Sequence, residues 1–109
     1  MKKTLILVTL LTFFLTSCGQ EDTEDVIITT IHPVHTIVKE IAGEEVKVER
    51  LLDPGVSPHT YDPTPAIYEK ASKSAALFYI SDHSDGWAAD MPAAKKIAIL
   101  ELLPENKKV

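Results

Sequence analysis

Four histidines are the side chains of this sequence best suited to chemistry at neutral pH. His59 stands in Asp53-Pro-Gly-Val-Ser-Pro-His-Thr-Tyr-Asp-Pro-Thr-Pro65, a segment with four prolines and one glycine. Gly55 permits a tight backbone, and the prolines restrict the loop to few conformations. An imidazole on a stiff loop loses little entropy on binding. The chemistry this implies is metal ligation by neutral imidazole, with zinc, manganese or iron as the ion. His32 and His35 flank Pro33. A spacing of three can put two imidazoles on one helix face, but Pro33 intervenes and only His35 falls inside the helical part. Both are expected as weak or supporting contacts to a metal, against a plainer reading as polar residues at a helix start. His83 lies in Ser81-Asp-His-Ser-Asp85. It is a third supporting position, against a plainer reading as part of a capping loop with Ser84 or Asp85 as the cap. No catalytic residue is expected. HExxH, GxSxG and a phosphate-cradling glycine loop are all missing from the sequence. The enzymatic alternative is a small exported metallohydrolase using His59 with His32 or His83.

The chain that must position these residues has 109 residues and a mass of 12.0 kDa. Its length allows one domain at most. It carries 11 basic against 16 acidic residues, a net charge of -5, which argues against a nucleic-acid partner. A hydrophobic fraction of 45% excludes wholesale disorder. A lone cysteine excludes an internal disulfide and a multi-cysteine zinc site.

That cysteine, Cys18, follows an export signal. Met1-Lys2-Lys3 is a basic head, and Thr4 to Leu15 is an uncharged, mostly apolar run. The run is too short to span a bilayer, which takes about 20 residues. Leu15-Thr-Ser-Cys-Gly19 then looks like a bacterial lipobox. Residues 1–17 are expected to be removed and Cys18 to carry the lipid anchor. Two or more acyl chains would hold it stably at the membrane. Residues 18–25 form an acidic tether.

Beyond the tether, strand and helix signals alternate. Val26 to Ile31 is a β-branched run that suits a buried strand. Val34, Ile37, Val38 and Ile41 recur at helical spacing, and Gly43 stops the helix. Glu45 to Leu52 reads as a second strand. Thr64 is expected to cap a helix that starts with Pro65 and runs to about Lys73. Ala75 to Ile80 is a third strand, Asp85 to Met91 a short helix, and Lys95 to Leu100 a fourth strand. Phe78, Tyr79 and Trp87 are expected in the core. The alternation predicts an α/β fold, a four-stranded mainly parallel sheet with crossover helices. Its functional edge is the carboxyl end of the strands. Nothing helical is expected after the fourth strand, so part of one sheet face is expected to lie bare, a surface that could also serve an interaction module.

The motif Pro54-Gly-Val-Ser-Pro-His-Thr-Tyr-Asp-Pro-Thr-Pro65 resembles the signature of the metal-ion solute-binding lipoproteins of bacterial ABC importers. Thr30-Ile-His-Pro-Val-His-Thr-Ile-Val-Lys-Glu-Ile-Ala-Gly43 is similar to that family's first strand-to-helix passage. Ala76 to Ile80 and Asp85-Gly-Trp87 resemble its next strand and helix, and the lipobox at Cys18 fits. The resemblance implies that His59 is the first of several metal ligands, with Zn2+ as the ion and Mn2+ the alternative. It implies a protein that captures the ion and hands it to an ABC transporter permease. No nucleic acid and no other small-molecule substrate is implied. The location implied is exported and lipid-anchored, at the periplasmic or outer face of the envelope. The remaining ligands of the family lie later, in a second lobe. Residues 26–109 therefore correspond to a partial amino-terminal lobe, apparently truncated, and this chain alone is expected to bind metal weakly.

Overall fold

A computed structural model describes residues 23–108. The signal segment, Cys18 and the tether up to residue 22 lie outside the described residues. Four parallel strands form one sheet: β1 (Glu24–Thr29), β2 (Lys47–Arg50), β3 (Ser74–Tyr79) and β4 (Lys96–Ala98), in the order β2-β1-β3-β4. Helix α1 (His32–Ala42) links β1 to β2, and α2 (Pro65–Lys73) links β2 to β3. A single turn, α3 (Asp82–Asp85), continues into a 3-10 segment at Gly86–Asp90 before β4. This is the parallel α/β architecture that the alternating pattern predicts.

The pleat sorts residues onto two faces. Val26 and Ile28 of β1, with Leu77 and Tyr79 of β3, join Leu51, Leu52, Ala71, Ala88 and Met91 in the core. Ile28, Leu77 and Met91 are fully buried. Each such side chain stabilises the fold by roughly 1.5–3 kcal/mol through removal from water. Helix α2 and the Gly86–Asp90 segment supply Ala71 and Ala88 to this face. Helix α1 lies over the other face, where Thr29 pairs in register with Arg50. It buries Val34 and Val38, whereas Ile37 and Ile41 of the same apolar stripe are exposed. Ile37 sits about 60° around the helix from Val34, and Ile41 is in the last turn.

Element ends differ from expectation for local reasons. β1 begins two residues early, because Glu24 pairs with Ser74 across a register irregularity. Gly43 closes α1 at φ 72, with its N–H donated to the Lys39 carbonyl at 3.0 Å. Thr64 does not cap α2 with its side chain. Its carbonyl instead accepts from the N–H groups of Ile67 and Tyr68. Beyond β4 the chain forms 3-10 turns at Ile99–Leu102 and Glu105–Lys107. Among the described residues, no helix is long and apolar enough to cross a membrane.

The chain steps from β1 outward to β2 and then back across to β3. Loops leaving β1 and β3 therefore diverge at the carboxyl edge, the usual ligand position in an open parallel sheet. Every histidine of the sequence lies on the segments that follow β1, β2 or β3 at this edge.

Candidate functional site

His59 is carried by a short 3-10 turn, Pro58–Thr60, in the segment between β2 and α2. The approach to it is set by Asp53-Pro-Gly-Val56, where the Val56 N–H is donated to the Asp53 carbonyl at 3.2 Å. Gly55 has φ 87, a conformation a glycine adopts without strain, and proline precedes it, as in a type II turn. No residue of the Pro58–Thr60 turn is buried, and His59 itself is exposed. The turn is held from outside. The Trp87 indole N–H is donated to the Pro58 carbonyl at 2.9 Å, and the Trp87 ring lies 4.9 Å from that of Tyr61 at 53°.

The loop after β3 is held by a buried carboxylate. Asp85 is fully buried and accepts the Ile80 and Ser81 N–H groups at 3.0–3.1 Å. It also accepts the hydroxyl of buried Thr30 at 2.5 Å, which ties the loop after β3 to the end of β1. Ser81, not Ser84 or Asp85, caps α3, accepting the Ser84 N–H on its Oγ. Asp85 is turned inward onto the strand ends, so it is unavailable to cap the turn outside.

The other histidines have separate surroundings. His32 Nδ1 is 2.9 Å from Arg50 Nη1. Arginine only donates, so Nδ1 must accept, and the neutral ring then carries its proton on Nε2. His32 and Arg50 line a hollow of about 230 Å³ with Asp53, Gly55 and Pro58. His35 Nδ1 lies 3.4 Å from Thr29 Oγ1, whose hydroxyl is donated to the Glu49 carbonyl. With that one hydrogen committed, His35 Nδ1–H is the donor and Nε2 keeps its lone pair. Burial first, then the charge of the Arg50 guanidinium, holds the His35 pKa below its ordinary value. That favours the neutral form which ligates metals. His83 is exposed and borders a different hollow, with Ser81, Leu100, Glu101 and Lys108. Among the described residues, no three His, Cys, Asp or Glu side chains are gathered where they could hold one ion. The sheet thus brings the four histidines to one edge without joining them into a single ligand set.

Trp87, Arg50, Thr30 and Asp85 are the working residues that sequence reasoning undervalued. Trp87 and Tyr61 do pack against the core, but the indole N–H reaches the His59 turn 29 residues away in sequence. No periodicity signals such a pairing.

Comparison with known proteins agrees with this fold. The family described as "ZnuA: Zinc-uptake complex component A periplasmic" matches residues 27–107. The zinc-binding lipoprotein AdcA of Streptococcus pneumoniae is 32% identical over 91 residues, covering 80% of this chain and 18% of AdcA. The manganese-binding lipoprotein MntA of Bacillus subtilis is 28% identical over 107 residues, covering 88% of this chain and 35% of MntA. The solved structure of the periplasmic zinc binding protein TroA from Treponema pallidum superposes with a TM-score of 0.67 at 25% identity. That superposition covers 75% of this chain and 31% of TroA. The chain thus spans between about a fifth and a third of the relatives it matches. On the extent of the family match, the chain belongs to the ZnuA family, the metal-binding solute-binding proteins of ABC importers.

Proposed function

We propose that the chain serves in the capture of a divalent metal ion, zinc first and manganese as the alternative, for delivery to an ABC importer permease. His59 is its metal ligand. The observation that carries this reading is an exposed imidazole on a braced turn at the carboxyl edge of the sheet. AdcA and MntA, named for zinc and manganese, support the two metals in that order of similarity. His32, His35 and His83 supply weaker or supporting positions along the same edge. Cys18 carries a lipid anchor after export, with residues 18–25 as its tether. No reaction is assigned. The role is binding and hand-over.

Zinc prefers four tetrahedral ligands. One imidazole with water completing the shell binds weakly, so the chain by itself holds zinc more loosely than micromolar. The ligating form is the neutral ring, and acid weakens binding by protonating it. Calorimetric titration of residues 19–109 with Zn2+ and with Mn2+, beside His59→Ala, tests the reading. The expected result is weak binding that His59→Ala abolishes. Binding that His59→Ala leaves unchanged would contradict His59 as ligand, and a stoichiometric site tighter than micromolar would contradict a single-imidazole site.

A further inference from the structure

We infer that Trp87 is a positioning residue for His59. This rests on the reading of His59 as a metal ligand. The Pro58–Thr60 turn buries none of its own residues, so its place must come from grips outside it. Trp87 supplies two of them. Its N–H holds the carbonyl of Pro58, immediately before His59, and its ring lies against Tyr61, two residues after. One side chain therefore clasps the turn on both sides of the ligand.

The clasp is itself anchored. Trp87 packs against the hydrophobic core. Two residues earlier, Asp85 binds the backbone N–H groups at the end of β3 and the hydroxyl of Thr30 beyond β1. Position is thus passed from the sheet through Asp85 to Trp87 and on to the turn. A turn fixed before the ion arrives loses less freedom on binding, which is how an outer contact raises the affinity of a ligand it never touches.

Trp87 is the sole tryptophan, so biosynthetic replacement by β-(3-benzothienyl)alanine alters this position alone. That residue keeps the ring shape and puts sulfur where the N–H was. The full chain is titrated with Zn2+ and followed by NMR of the His59 ring, with Trp87→Phe and His59→Ala alongside and thermal melting of each. Replacing the N–H should weaken zinc binding at His59 about tenfold and lower the order parameter of the His59 amide, with melting little changed. Parental affinity in the isosteric chain overturns the inference, as does a lower melting temperature with unchanged affinity, which marks a purely structural contact. If His59→Ala weakens binding and the isostere does not, the inference alone fails. If His59→Ala binds like the parent, the ligand assignment fails and the inference falls with it.

Discussion

Asp85 shows how a single side chain fixes the working edge. It is fully buried, and its two oxygens accept from two backbone N–H groups and one hydroxyl. Truncation would leave the buried Ser81 N–H and Thr30 hydroxyl and the half-buried Ile80 N–H without partners, and each buried orphan costs about 1–3 kcal/mol. Asp85→Ala should therefore lower the unfolding free energy by about 3 kcal/mol or more. Asp85→Asn, which keeps one acceptor oxygen, should lose less, and Thr30→Val, which removes one donor, about 1 kcal/mol. Urea denaturation of the three variants checks the order. Equal stability of Asp85→Ala and the parent would contradict the role given to this carboxylate. The sequence presents Asp85 as a helix-capping residue because Ser-Asp-His-Ser-Asp offers several caps. Which one turns inward depends on the ends of β1 and β3, and local pattern carries no record of those neighbours.

At the scale of elements, β2 and α2 are joined by charge. Glu49 on β2 pairs with Lys47 beside it and with Lys70 on α2. Hydrogen bonds from Lys47 first and then Lys70 hold the Glu49 carboxyl below the ordinary glutamate value. A carboxyl depressed in the folded state adds stability that is complete above the unfolded value of about 4.3. That stability is lost as pH falls through the folded value. The stability gap between the parent and Glu49→Gln should thus be present at pH 7 and shrink as pH drops below about 4. Urea midpoints across that range measure it, and a gap that stays constant with pH would contradict the pairing. The order of elements was legible because β-branched runs, proline at a helix start and glycine at φ 72 act locally. Side-chain placement was less so. Val34, Ile37, Val38 and Ile41 share one apparent stripe, yet only Val34 and Val38 reach the sheet. The spacing of a stripe does not say how far the partner surface extends.

For the whole molecule, the parallel sheet decides what meets what. Parallel strands send every connection out at the same edge, so His32, His35, His59 and His83 share one side of the protein despite their spread along the chain. That sharing could be read from the strand-helix alternation. Their separation into distinct surroundings could not. It arises from Arg50 reaching His32, Thr29 reaching His35 and Trp87 reaching the turn of His59, three contacts between different elements. The chain belongs to the ZnuA family, and its fold is similar to that of TroA. The central claim is that His59 is where the ion binds. A Zn2+ titration of the 15N-labelled chain, with every amide and ring signal followed at once, tests it most directly. The account predicts that the largest shifts fall on His59, Thr60 and Tyr61 and on the Trp87 indole N–H. Shifts centred on His32 or His83, with the His59 ring unmoved, would contradict it.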